Sequence, residues 1–210
     1  MTAVMSLGLG YLVGCINPAV LISKAKKVNL KEEGTGNLGT GNLGATNTAF
    51  VLGKRSGIFV LLFDIAKSFF SYKIAKWLFP KLLIAGILAS IGCILGHCFP
   101  VFMHFEGGKG LAAFGGLILA YSPTMFLAIV TTGVILMFVC NTGVVAPFVG
   151  CLAFPVMVCI SSHDLLEILA VLTASSIIFA THLSNFKMAK RKEDVVNTEE
   201  FMEKVFGRKG

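Results

Sequence analysis

Seven stretches of this 210-residue chain, at about 3–23, 56–76, 82–103, 110–122, 124–140, 144–160 and 165–183, are nearly unbroken apolar sequence. A helix needs about 20 such residues to cross a bilayer. Inside lipid every backbone N–H and C=O must find a partner within the chain, so the stretches are constrained to helices. The fourth is short and closes at Ser122-Pro123, which predicts a tilted helix or a half-helix packed against protein. The composition agrees: 55% of residues are hydrophobic and 14% charged, against about 25% charged in soluble domains. The expected fold is an all-α integral membrane protein with about seven transmembrane helices. Residues 1–186 form one membrane domain, and 187–210 form a basic tail.

Basic residues set the expected orientation. Placing the N-terminus outside gathers fourteen of the eighteen Lys and Arg on one side, including Lys24, Lys26, Lys27, Lys31, Lys54, Arg55, Lys109 and the run from Lys187 to Lys209. The expected topology is therefore N-terminus outside, C-terminus cytoplasmic, in the cell membrane. Val4–Ile22 lacks a basic leader and a small-residue cleavage site, so it reads as a span and not a signal peptide. The net charge is +7, yet the basic residues alternate with lipid-soluble segments, which argues against a nucleic-acid partner. Six cysteines fall in apolar segments without a C-x-x-C pair, so they read as small apolar residues.

Three polar stretches then share the cytoplasmic side. The first, "GTGNLGTGNLGATN" from Gly34 to Asn47, matches G-x-G-x-x-G twice. It joins two spans and lacks the flanking strand of a dinucleotide site, and no Lys-Ser or Lys-Thr follows as in a P-loop. What remains is a glycine-rich nest of backbone donors suited to an anion, with Lys54 and Arg55 just beyond. The second, "LGHCFPVFMHFEGGKGLAAFGG" from Leu95 to Gly116, sets Lys109 among Gly107, Gly108 and Gly110 where a span begins. A helix N-terminus favours anions through its unpaired N–H groups and its dipole. His97 and His104 flank this turn, with no carboxylate at metal-ligand spacing. The third leaves the last span at His182 and Asn185. Asp64 and Lys67, three apart in the second span, share a helix face and read as an ion pair.

Together these stretches resemble the bacterial acyl-phosphate:glycerol-3-phosphate acyltransferases, the PlsY family. The first motif is "TGNLGATN" (Thr40 to Asn47) followed by "LGKRSG" and "LLFDIAKS", the second "LGHCFPVFMHFEGGKGLA", and the third His182-x-x-Asn185 with Asp194 further on. The resemblance implies transfer of an acyl group from acyl phosphate to the 1-hydroxyl of glycerol 3-phosphate, giving lysophosphatidic acid, with no metal or cofactor. Membrane lipid and the enzyme that forms the acyl phosphate are the implied partners. Lys109, with the backbone of Gly107, Gly108 and Gly110, would cradle one phosphate. Thr40, Asn42, Asn47 and Asn185 would hold the other phosphate and orient the glycerol. Gly41, Gly44, Thr46, Lys54, His97 and Asp194 complete the implied binding set, with Thr40, Lys109, His182 and Asn185 closest to the chemistry. The attacking hydroxyl's proton would leave to the donor phosphate or to His182. "GTGNL" is duplicated, and either copy could enter the site; Thr40, Gly41 and Asn42 keep the family spacing. The chain departs from the family pattern at Thr40, Phe50, Glu106, Ala113 and Met188. A catalytically impaired paralogue, or a small organic-phosphate transporter, would use the same anion-binding loops.

Overall fold

The first apolar run contains Asn17-Pro18, and there the helix breaks. The computed structural model describes residues 1–33 and 41–190, with 198, 202, 203 and 207. In it α1 (Thr2–Gly14) stops and α2 (Pro18–Lys26) restarts. Pro18 has no N–H to offer the carbonyl of Gly14. Asn17 caps α2, its Oδ1 accepting from the N–H groups of Ala19 and Val20 at 3.0 and 3.3 Å. The single helix expected over 3–23 is thus two, because one proline outweighs the apolar average.

The other elements follow in order: α3 (Leu30–Glu33), α4 (Ala45–Leu52), α5 (Lys54–Leu78), α6 (Ala85–Cys98), a 3₁₀ turn (Val101–Met103), α7 (Leu111–Tyr121), α8 (Pro123–Val139), α9 (Val145–Ser161) and α10 (Leu165–Lys190). The chain is all-helical among the described residues. Four expected spans match α5, α7, α8 and α9 to within two residues at each end. The expected span 82–103 is α6 plus the 3₁₀ turn. The last helix runs on to Lys190, so His182 and Asn185 lie on α10 and not in a loop after it. Three segments, Thr2–Lys26, Ala85–Met103 and Leu165–Asn185, are long and apolar enough to cross a membrane; α7, α8 and α9 are apolar but shorter.

Close helix packing comes from glycine. A Cβ on Gly10 or Gly14 of α1 would sit 1.7 or 2.2 Å from the carbonyl oxygens of Ala89 and Cys93 on α6. A Cβ on Gly92 or Gly96 of α6 would sit 2.0 or 2.1 Å from those of Leu7 and Tyr11 on α1. Two G-x-x-x-G faces therefore meet backbone to backbone, the usual solution where lipid supplies no hydrophobic drive. The main core lies between α5, α6, α7, α9 and α10 and centres on Phe114, Leu117, Phe154, Val171 and Ile178. Phe114 and Phe154 meet edge-on at 5.8 Å. Outside this core, Leu127, Leu152, Ile160 and Leu166 are exposed, as expected of surfaces that face acyl chains. Beyond α10, Thr198 is buried against the end of α8, its hydroxyl donating to Met137 O at 2.9 Å and its N–H to Asn141 Oδ1 at 3.1 Å.

Candidate active site

The break between α1 and α2 leaves carbonyls without helical partners, and Lys67 of α5 takes them. Its ammonium donates to Gly14 O at 3.2 Å and Ile16 O at 2.9 Å, and stands 2.8 Å from Asp64 Oδ1. It also lies 3.0 Å from His97 Nδ1. The same Nδ1 lies 3.4 Å from Asp64 Oδ1, and the ring presents Nε2 to the turn above. The expected Asp64–Lys67 pair is present, fully buried. His97, expected to bind substrate, is a buried member of this cluster and not a wall of the cavity described below.

The turn above is Gly107-Gly108-Lys109-Gly110, and its glycines do something other than expected. Gly107 N–H donates to Cys98 O and Gly108 N–H to His97 O, both at 3.0 Å. These are last-turn carbonyls of α6, which otherwise lack partners. The two N–H groups are therefore engaged by α6 in this structure, while Gly107 and Gly108 themselves line the cavity described below. Absence of a side chain is what the position needs: a Cβ on Gly107 would lie 2.0 Å from His97 O, and one on Gly108 2.2 Å from His97 Nε2. Gly110, at φ +83°, is the N-cap of α7, a conformation glycine adopts without strain. The start of α7 and the side chain of Lys109 are the candidate anion-binding groups of this turn.

Lys109 is held from α10 at two points. Its ammonium hydrogen-bonds Asn185 Oδ1, and its carbonyl accepts from Thr181 Oγ1 at 2.8 Å. Burial draws its pKa below the ordinary lysine value, and among the described residues it makes no ion pair. His182 Nδ1 lies 2.9 Å from Ile178 O; a carbonyl only accepts, so Nδ1 carries the hydrogen and Nε2 keeps the lone pair.

A cavity of about 540 Å³ opens here, lined by Asn42, Leu95, Cys98, Phe99, Gly107, Gly108, Lys109, Ile177, Ala180 and Thr181. Its lining combines polar residues (Asn42, Lys109, Thr181) with apolar ones (Leu95, Phe99, Ile177). All three sequence stretches thus contribute to one place. From the first, Gly41 takes φ +62° beside the lining residue Asn42, and Gly44 caps α4.

Other expected residues do not line the cavity among the described residues. Asn47 is buried and donates to Leu30 O at 2.8 Å, pinning α3 to α4. Thr46 and Lys54 are exposed on α4 and α5. Thr40 and Asp194 lie outside the described residues. Glu106, next to the turn, pairs with Lys31 of α3, which holds its carboxyl below the usual range. Sequence reasoning missed Thr181; its signal was the i, i+4 spacing to Asn185 on one helix face.

The glycerol-3-phosphate acyltransferase family model matches residues 4–192. A glycerol-3-phosphate acyltransferase of Geobacillus kaustophilus is 32% identical over 197 residues, covering 92% of this chain and 95% of that one. One from Thermoanaerobacter pseudethanolicus is 30% identical over 188 residues, covering 89% and 91%. The crystal structure of PlsY (YgiH), an integral membrane glycerol 3-phosphate acyltransferase, in its glycerol 3-phosphate form superposes with a TM-score of 0.84 at 26% identity, covering 96% of this chain and 99% of that one. Its lysophosphatidic acid form gives 0.83 at 25% identity over the same shares. With the family model spanning nearly the whole chain, and the fold shared from end to end, the chain belongs to the glycerol-3-phosphate acyltransferase family.

Proposed function

We propose that the chain transfers a fatty acyl group from acyl phosphate to the 1-hydroxyl of glycerol 3-phosphate, forming lysophosphatidic acid and inorganic phosphate. The observation that carries this reading is Lys109: a half-buried ammonium without a carboxylate partner among the described residues, at the N-terminus of α7, in a cavity lined by both polar and apolar residues. Such a charge is costly to bury and suits a ligand that brings phosphate. The apolar lining residues Leu95, Phe99 and Ile177 suit an acyl chain arriving from lipid. Relatives named glycerol-3-phosphate acyltransferase, and the two forms of the similar crystal structure, support the same substrate and product.

In the proposed reaction the glycerol oxygen attacks the acyl carbon, and the bond from that carbon to the phosphate oxygen breaks. Phosphate leaves with the charge that Lys109 and the α7 N-terminus are placed to stabilise. The hydroxyl proton goes to the leaving phosphate or to His182 Nε2, the nitrogen with the lone pair. An acyl phosphate is already activated, so holding the two substrates in attacking geometry supplies much of the rate. Thr40, Gly41 and Asn42 are assigned to the glycerol phosphate with Asn185, and Asp194 to support of the third motif.

The remaining assignments belong to the same reading. Seven helical crossings, with α1–α2 as the first, place the N-terminus outside and the C-terminus in the cytoplasm; the basic-residue asymmetry supports this. The site then faces the cytoplasm, and the enzyme that forms acyl phosphate is the proposed neighbour. Residues 1–186 form one domain and 187–210 its tail. The test is purified protein in detergent with palmitoyl phosphate and radiolabelled glycerol 3-phosphate. Lipid-soluble label that vanishes when palmitoyl phosphate is replaced by free palmitate supports the reading, and no label from folded protein refutes it.

A further inference from the structure

The Thr181 hydroxyl touches two of the groups assigned to the chemistry, and no function has yet been given to it. Its oxygen lies 2.8 Å from Lys109 O, 3.0 Å from Ile178 O in its own helix, and 3.2 Å from His182 Nδ1. A hydroxyl has one proton, and the shorter, inter-segment contact to Lys109 O takes it. Asn185, one helical turn further along α10, receives the Lys109 ammonium. One face of α10 therefore grips Lys109 twice, by its backbone and by its side chain.

The backbone grip controls more than one atom. Lys109 C=O belongs to the same planar peptide unit as Gly110 N–H, so fixing the carbonyl fixes the direction of that donor. Gly110 sits at φ +83° as the N-cap of α7, with no side chain to hold the plane itself. Below, the turn is restrained only as far as Gly108, by His97 and Cys98 carbonyls. The peptide from Lys109 to Gly110 is the first beyond that support.

We propose that Thr181 is a positioning residue, holding the Lys109–Gly110 peptide so that the Lys109 ammonium and the first donors of α7 face the same anion. The proposal rests on the reading of Lys109 as the phosphate-binding group. It assigns the clamp to α10, the helix that also carries His182 and Asn185, so one rigid element sets the geometry of all three.

The test compares Thr181→Val, which keeps the shape and loses the hydroxyl, with Thr181→Ser, which keeps the hydroxyl. Glycerol 3-phosphate binding is measured by calorimetry, kcat/KM by acyl transfer, and thermal unfolding is followed in the same detergent. Thr181→Val weakens binding and lowers kcat/KM by about tenfold, the worth of one hydrogen bond, with unfolding temperature unchanged. Thr181→Ser recovers to within about twofold. Wild-type binding by Thr181→Val, or a Thr181→Ser variant as impaired as Thr181→Val, overturns the clamp. Should the valine variant fail to fold, the serine variant still decides: full binding with the hydroxyl retained upholds the clamp, and a tenfold loss overturns it. Wild-type protein that binds glycerol 3-phosphate but makes no product refutes the transferase reading, while a binding loss confined to Thr181→Val keeps the clamp.

Discussion

Replacing Lys67 with methionine keeps most of the side chain's volume and removes its charge and its donors. The ammonium serves Gly14 O, Ile16 O and His97 Nδ1 and offsets Asp64 at 2.8 Å, with both charged side chains at most 3% exposed. Breaking a buried pair from one side leaves an uncompensated charge and costs about 3–5 kcal/mol. Two freed carbonyls push the loss toward the top of that range, since each unsatisfied buried group costs about 1–3 kcal/mol. In a chain of this length 1 kcal/mol moves Tm by about 2–4 °C, so even about 3 kcal/mol lowers it by about 6–12 °C. The assay is thermal unfolding in detergent, with Asp64→Asn added to the Lys67→Met background as the control. The double variant no longer buries a lone carboxylate and recovers part of the loss, while the carbonyls at the α1–α2 break stay unserved. A Lys67→Met protein melting within about 2 °C of wild type would refute the reasoning, because one exposed-pair's worth of stability is all that such a shift allows.

Two other outcomes follow from the same geometry. Gly108→Ala puts a methyl group 2.2 Å from His97 Nε2, so the turn must lift; kcat/KM falls by about 10² or more, measured by acyl transfer, while far-ultraviolet dichroism stays helical. Glycerol 3-phosphate affinity declines as pH rises into the alkaline range, starting below the ordinary lysine range, because burial has drawn the pKa of Lys109 downward and only its protonated form attracts the dianion. The sign is fixed: the cation is present below that pKa and lost above it. Calorimetry across the range checks this, and a Lys109→Met variant shows a flat, weak profile.

Helix positions were legible because punctuation is strong in this sequence. Ser122-Pro123 ends one helix and starts the next, with Ser122 Oγ accepting from Met125 N–H at 3.3 Å, and charged residues close most other runs. Asn17-Pro18 carries the same kind of signal, but inside a run whose mean hydropathy hides it. The Asp64–Lys67 pair could be read from i, i+3 spacing; that Lys67 also serves a helix break fifty residues earlier could not, since tertiary placement decides it. Lys109 was legible for a local reason, a lysine among glycines at a helix start. That the N–H groups of Gly107 and Gly108 bond the end of α6 was not legible, because sequence does not reveal which donors those carbonyls will claim. Asn47, expected to bind substrate, is buried with its amide donating to Leu30 O, a contact between distant segments that spacing alone does not reveal. The G-x-x-x-G faces at Gly10/Gly14 and Gly92/Gly96 were present as patterns and went unread; only their mutual approach shows that they form one interface.

The most direct measurement is the acyl-transfer rate of Lys109→Ala beside wild type, both shown to be folded by their unfolding temperatures. Removing a preorganised charge-stabilising donor costs about 10²–10³ in kcat. A loss of that size in a protein that melts as wild type does is the expected result. A Lys109→Ala protein that turns over at the wild-type rate would contradict the assignment of Lys109 and the α7 N-terminus as the phosphate site.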